Sequence, residues 1–349
     1  MKVLVTGGCG LIGFNTAKYY HEQGAEVLVM DNLERSKLLG HSVNERRKYY
    51  NARELQEMGV QWTMADVSRE EAWTKVNASF GRFDIVIHLA GQCGVPTSIA
   101  DPRRDFEINA VGTFNALEAA RKWNSTLVYA STNKVYPIHE GWHQDKQGCD
   151  PKWRWTNDLW HKFGFPVQAM DGNSRTPYGS SKYAGDLFCQ EYAHTYGLKT
   201  GVFRMSCIYG PNQFGFEEQG WATWFAIATL KGLPINIYGD GYQVRDMLYV
   251  EDLVRAYDAF VKSDLKHGVF NIGGGPANIL CLNECIDVLE EYTGRRSKID
   301  SHNWRPSDQK IYTSDLRPAM EKLGWEPKVS PFEGLNLVID WVTPILDIF

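Results

Sequence analysis

Apolar residues fill nearly every position of KVLVT (residues 2 to 6) and then stop at glycines, a pattern that predicts a strand buried on both faces. Residues 14 to 23 carry a helix-like repeat, and a second apolar run follows from Glu26 to Met30. Strand, glycine turn, helix and strand therefore follow one another directly. Further β-like runs at Phe83 to Leu89, Thr126 to Ala130, Thr200 to Phe203 and Val269 to Ile272 are mostly separated by helix-like stretches. This alternation predicts an α/β fold, a doubly wound parallel sheet covered by helices on both faces. After Pro211 the pattern changes to mixed helices and short strands, as expected of a second, smaller lobe. The expected division is a sheet domain over 1–211, with a return segment at about 246–274, and a lobe made mostly of 212–349.

The regularity fails between Pro137 and Arg175, where Trp142, Trp153, Trp155 and Trp160 stand among histidines, glycines and lysines. The segment is too long for a simple connection and too aromatic for ordinary disorder. A packed lid, an oligomer contact and an inert insertion all remain open. His139, His143 and His161 within it lack metal-ligand spacing, so no metal is expected.

At 349 residues the chain is long enough for two such bodies. Its 37 basic and 42 acidic side chains leave a net charge of −5, which points to neither nucleic acid nor an anionic membrane as partner. No apolar run approaches the roughly 18 residues that cross a bilayer, and the apolar opening runs into glycines instead of a cleavage site, so a cytoplasmic protein is expected. Seven scattered cysteines with no CxxC pair read as reduced thiols. Cys281 and Cys285, four apart in an amphipathic stretch, have no further ligand nearby and read as core residues.

Candidate chemistry starts at Thr6-Gly7-Gly8-Cys9-Gly10-Leu11-Ile12-Gly13, a GxxGxxG at the turn from the first strand into the first helix. Gly7 allows the tight turn, Gly10 lets backbone approach a pyrophosphate at the helix N-terminus, and Gly13 lets the helix pack closely. The second strand ends in Asp31, 18 residues after Gly13, where a carboxylate accepts a hydrogen bond from a ribose 2′-hydroxyl and repels a 2′-phosphate. NAD is therefore expected over NADP. Asp66-Val67 after the next apolar run suits an adenine-edge contact, and His88-Leu89-Ala90-Gly91 ends a strand at the same carboxyl edge.

The second signal is Tyr178-Gly179-Ser180-Ser181-Lys182. A spacing of four places tyrosine and lysine on one helix face, where an ammonium favours the phenolate and lowers the tyrosine pKa toward the working pH of a general base. Ser131-Thr132, at the end of an earlier strand, offers a hydroxyl to share with that phenol.

With TGGCGLIG, DNL at Asp31 to Leu33, HLAG, Asn109 in NAVGT, STNKVY, PYGSSK, YGDGYQVRDMLYVEDL and FNIGGG in order, nearly the whole chain resembles the extended short-chain dehydrogenase/reductase group of nucleotide-sugar epimerases and dehydratases. The resemblance implies a catalytic set of Thr132, Tyr178 and Lys182. It implies NAD contacts from Gly7, Gly10, Leu11, Ile12, Gly13, Asp31, Asn32, Asp66, Val67, Leu89, Ala90, Gly91, Asn109 and Ser131, besides Tyr178 and Lys182. Substrate contacts are expected from Thr132, Asn133, Lys134, Arg204, Ser206, Gln219, Arg245 and Arg305, the last two as guanidinium forks on a nucleotide diphosphate.

Dehydratases of this group carry an Asp and a Glu after the assisting hydroxyl, whereas this chain has Asn133 and Lys134. An amide and an ammonium cannot share that acid and base work, so loss of water is not expected. Epimerisation remains. STNKVY, HLAGQ, SIADPRRDFEINAVGT and EQGWATWF look most like the CDP-paratose 2-epimerase branch, which implies inversion at C2 of a CDP-hexose or a related GDP-hexose, in a homodimer or homotetramer. Tyr136-Pro137, where the group often has Tyr-Gly, and the tryptophan-rich segment depart from the pattern. Alternatives are a 4-epimerase or a reductase of the same group or, from another class, a nucleotide-sensing protein without catalysis.

Overall fold

The computed structural model describes residues 1–38, 43–137, 142–145, 152–166, 174–305 and 308–349. The strands are β1 (Lys2–Thr6), β2 (Glu26–Asp31), β3 (Gln61–Met64), β4 (Ile85–His88), β5 (Thr126–Thr132), β6 (Trp142–Asp145), β7 (Lys152–Trp155) and β8 (Thr200–Met205). After them come β9 (Cys207–Tyr209), β10 (Pro234–Tyr238), β11 (Val244–Tyr249), β12 (His267–Ile272), β13 (Ile279–Cys281), β14 (Lys298–His302) and β15 (Ile311–Tyr312).

Every strand expected from the apolar runs is present, in one seven-stranded sheet of order β12-β8-β5-β4-β1-β2-β3. β1 pairs in parallel with both β2 and β4, so the strand order reverses between β1 and β4. That reversal opens a crevice at the strands' carboxyl ends, the place where doubly wound sheets bind ligands. The strands are apolar on both faces because both are covered: Val3, Leu4, Val5, Val86 and Ile87 are fully buried. Leu4, Leu28, Val86 and Leu127 pack with Ala116, Leu117 and Ala120 of helix Gly112–Trp123.

Two compact units share the chain. The first is Met1–Tyr136, Arg175–Arg204 and Val254–Phe270, and the second is Pro137–Ser174, Met205–Leu253 and Asn271–Phe349. The first unit is thus narrower than the span 1–211 with return 246–274, because the excursion after Tyr136 folds with the second unit. Its described part makes the antiparallel β6–β7 hairpin and the helix Asp158–Phe163. Trp155 and Phe165 are buried, with ring centroids 5.8 Å apart, and the Phe165 ring lies 6.3 Å from that of Tyr312 in β15. The Phe165 amide donates to the Thr313 carbonyl at 2.7 Å. The excursion is therefore built into a core. His139, Cys149 and the side chains of Trp142 and His143 lie outside the described residues.

The rest of the second unit is small sheets and helices, as the change of pattern after Pro211 predicts. β11 pairs with β9, β13 and β15, while β10 pairs with β14. Helices Trp221–Lys231, Leu282–Thr293 and Pro331–Val342 close one apolar core that includes Phe225, Ile235, Met247, Leu289 and Leu335. Cys281 and Cys285 are core residues here, and the Cys281 sulfur caps helix Leu282–Thr293 by accepting from the Glu284 amide.

Candidate active site

β1 hands over to helix Leu11–Glu22 through the glycine run. Gly7 has a φ of +67°, which L side chains rarely adopt, and a Cβ there would lie 2.7 Å from the Ala90 nitrogen. A Cβ on Gly13 would lie 2.2 Å from the Gly7 oxygen, so the helix presses directly on the turn. Gly10 differs. A Cβ there would meet only that oxygen, at 3.4 Å, so the protein itself leaves room for a side chain. Gly10 is also the helix N-cap and no side chain caps the helix, whose first residues are Leu11 and Ile12. Free space before uncapped amides at the positive end of a helix fits a pyrophosphate.

Asp31, at the end of β2, accepts from the Cys9 amide at 2.9 Å and the Leu33 amide at 2.8 Å, so it braces the glycine turn. Burial raises its carboxyl above the usual range while these donors pull it back. Each oxygen has a lone pair left for a ribose hydroxyl. Asn32 turns back to accept from the Glu34 amide at 3.1 Å. Asp66 is more committed: one oxygen accepts from Arg104 at 2.8 Å and the other from the Ser68 amide and hydroxyl. Arg104 also reaches Glu34 at 3.2 Å, so the carboxylate expected at an adenine edge belongs to an ion-pair network. The neighbouring Val67 carbonyl accepts from Trp73 and Asn115, both at 3.0 Å. The Leu89 and Ala90 amides both donate to the Thr6 hydroxyl at 3.2 Å. His88 is held neutral by burial, which pushes its pKa down to about 3.

Tyr178 and Lys182 lie on the first turns of helix Thr176–Tyr196, and both are buried. Thr132 at the end of β5 lies near enough to the Tyr178 phenol to draw its pKa down. Thr132 also caps the short 3-10 turn Asn133–Val135, accepting from the Lys134 amide at 3.3 Å. The helix touches that turn closely: a Cβ on Gly179 would lie 2.2 Å from the Lys134 oxygen. The structure therefore brings together Thr132, Asn133, Lys134, Tyr178 and Lys182. Gly91 adjoins the Lys182 ammonium and the Asn109 amide, since a Cβ on it would be 3.7 Å from Nζ and 2.9 Å from Oδ1.

The electrostatics differ from the expectation of a lysine-lowered phenol. Burial raises Tyr178 above its ordinary range, Cys93 adds to this, and the nearby Thr132 hydroxyl lowers it. Lys182 is itself brought down to about 8 by burial and points its ammonium at the Tyr129 ring, 4.4 Å from the centroid. Desolvation sets the direction for both groups.

Two other expected contacts are committed elsewhere. Arg204 is buried and forks onto Asp186 at 2.9 and 3.0 Å, with Tyr136 accepting a third bond at 3.2 Å, so its donors go first to a buried carboxylate. Ser131 donates to the same Asp186 at 2.7 Å. In the second unit, the Ser206 hydroxyl donates to Asp246, and Gln219 exchanges backbone bonds with Phe216. Arg245 pairs with Asp308 at 3.0 Å, while Arg305 lies 3.8 Å over the Tyr238 ring and pairs with Glu217 at 3.3 Å. A guanidinium has five donors, so one carboxylate leaves others for a phosphate.

Sequence reading missed Asp105, Asp186, Gln92 and Arg104. The signal for Asp186 was available, since it follows Tyr178 and Lys182 at the same spacing of four and so lies on their face.

Comparison with known proteins agrees with this geometry. The family model described as NAD dependent epimerase/dehydratase family matches residues 3–273. The CDP-paratose 2-epimerase of Salmonella typhi is 36% identical, with 99% of this chain and 100% of that protein aligned. The UDP-glucuronate 4-epimerase of Thermodesulfobacterium geofontis is 30% identical over 97% of this chain and 95% of its own. Among solved structures, the UDP-glucose 4-epimerase of Thermus thermophilus in complex with NAD superposes with a TM-score of 0.77, 30% identity and coverage of 98% and 99%. A model match across most of the chain, over a glycine turn and acidic strand end that fit a dinucleotide, makes this protein a member of the NAD dependent epimerase/dehydratase family.

Proposed function

We propose that the chain is a nucleotide-sugar 2-epimerase that oxidises and re-reduces C2 of a CDP-hexose, of the paratose and tyvelose type or related to it. The observation that carries this reading is the pair Asn133 and Lys134 beside Thr132, where an elimination would need two carboxyl groups. The 36% identity to a CDP-paratose 2-epimerase supports C2 as the carbon. Bound NAD supplies the hydride acceptor and donor. Tyr178, with Thr132 at its hydroxyl, takes the proton of the sugar hydroxyl on oxidation and returns it on re-reduction. Lys182 stays mostly charged at neutral pH, below its value of about 8, and adds positive charge to the site. We assign the diphosphate to Arg245 and Arg305. The committed bonds of Ser131 and Asp66 leave backbone and neighbouring groups to hold the cofactor there.

Purified protein incubated with CDP- and GDP-hexoses in deuterium oxide is expected to invert C2 without incorporating deuterium there, as read by NMR. Deuterium at C2, or a 4-keto-6-deoxy product, overturns the reading. Inversion at C4 would instead support a second reading, favoured by the 30% identity to a UDP-glucuronate 4-epimerase.

A cytoplasmic location belongs to the same reading. Among the described residues the cysteines form no disulfide, and no helix is long and apolar enough to cross a membrane. So does a homodimer. Phe114 of helix Gly112–Trp123 and Leu187 and Phe188 of helix Thr176–Tyr196 are 41%, 47% and 46% exposed, and the two phenylalanine rings meet edge to face at 5.9 Å. An apolar ridge on two adjacent helices suits a two-fold contact. Phe188→Glu is expected to halve the mass measured by sedimentation; a wild type that is already monomeric sinks the dimer.

A further inference from the structure

Asp105 is 1% exposed, lies in the short helix Pro102–Phe106, and carries a carboxylate that the chemistry proposed above does not use. One of its oxygens accepts the Ser181 hydroxyl proton. The other accepts from Asn109 Nδ2 and from Gln92 Nε2, both at 3.1 Å. Burial pushes this carboxyl's pKa up, while the Ser181 hydroxyl and the Lys182 ammonium pull it down toward the charged form. Ser181 stands between Tyr178 and Lys182 in the chain, and its hydroxyl is also 3.0 Å from the Tyr178 carbonyl oxygen. Asn109 in turn accepts from the Gln92 amide at 2.9 Å and lies against Gly91, the residue that also adjoins the Lys182 ammonium. A π turn, Glu107–Val111, interrupts the helical run between Asp105 and helix Gly112–Trp123 and contains Asn109. Such turns are rare and cluster at functional sites.

We propose that Asp105 is a positioning residue: through Ser181 and Asn109 it holds the helical turn that presents Tyr178 and Lys182. This rests on the reading of that pair as the proton-handling groups. The carboxylate also acts at a distance. Its charge raises Lys182, opposing the burial that brings the amine down, and adds to the burial that raises Tyr178. The other titratable groups around the pair are Cys93, His88, Tyr129, Asp186 and Cys189, with Asp101 near Asp105 itself, and an Asp105 substitution leaves all of them in place.

Asp105→Asn separates shape from charge, because the amide oxygen still accepts from Asn109 and Gln92 while its NH₂ donates to the Ser181 oxygen. Without the negative charge Lys182 deprotonates at lower pH, so the alkaline limb of kcat moves down. Tyr178 ionises at lower pH as well, so the acid limb moves the same way. We expect both limbs to shift by about half to one unit, which lowers kcat roughly three- to tenfold near pH 9, with KM and bound NAD within about twofold of wild type. The tyrosinate absorbance that disappears in Tyr178→Phe should shift by the same amount in an ultraviolet titration. Ser181→Ala keeps the charge and should lower kcat with both limbs in place. An Asp105→Asn profile that superposes on wild type, or one that only falls uniformly with NAD lost, overturns the proposal. A Tyr178→Phe enzyme with wild-type turnover removes the base assignment and this proposal together. An inactive Tyr178→Phe beside an unshifted Asp105→Asn removes this proposal alone.

Discussion

Tyr178→Phe is expected to keep its fold and its NAD and to lose about a thousandfold in turnover, the middle of the range for deleting a general acid or base. The ring that fills the buried site remains, and the Tyr178 amide still donates to the Ser98 hydroxyl at 3.1 Å. Only the phenolic oxygen goes, and with it the group of helix Thr176–Tyr196 to which we assign the sugar hydroxyl's proton. Because burial raises the phenol above its ordinary range, its ionised form must be favoured during turnover by the cofactor's charge and the substrate's hydrogen bond. The measurement is product formation by NMR alongside the nucleotide released on denaturation. An unchanged rate would remove the tyrosine from the mechanism.

Arg204→Met should cost about 3–5 kcal/mol, because it leaves the Asp186 carboxylate buried without its cation. The loss should appear as a fall of several degrees in the thermal midpoint, roughly 5–10 °C. Asp186 is fully buried and also accepts from Ser131 and from Gln190 at 2.7 Å, so its charge has nowhere to go. Combining Arg204→Met with Asp186→Leu should recover most of the stability, since neither charge is then stranded. KM for the nucleotide sugar should stay within about twofold in the double variant. A large rise in KM with stability intact would instead return Arg204 to the substrate.

The two predictions mark where the sequence is readable. Gly7, Gly13 and Asp31 are legible because a glycine turn and a strand end are local events, decided by neighbours a few residues apart. Tyr178 and Lys182 are legible because helical spacing alone puts them on one face. The roles of Arg204 and Ser131 are not legible, because each depends on Asp186, and only tertiary packing says which carboxylate a buried cation meets. Asp66 was recognisable as the acidic residue after a strand, but Arg104, its partner 38 positions away, was not. The rise of the tyrosine's pKa is hidden for a related reason: spacing brings a lysine near, yet the depth of burial is a property of the whole fold. The tryptophans after Pro137 predicted packing but not a destination, since aromatic content does not say which core a hairpin will join.

The interleaving of the two units carries a consequence for synthesis on the ribosome. The sheet of the first unit ends in β12, whose residues come after position 266, so its edge cannot be closed until more than three-quarters of the chain has been made. Before then β8 waits with one side unpaired, a template for association with other nascent chains. The many pairings between distant residues make folding slow as well as late. The chain therefore passes through a stage in which most of the catalytic half exists in sequence and has no complete sheet, and a shortened gene ending before β12 should yield aggregates in place of a free cofactor-binding domain.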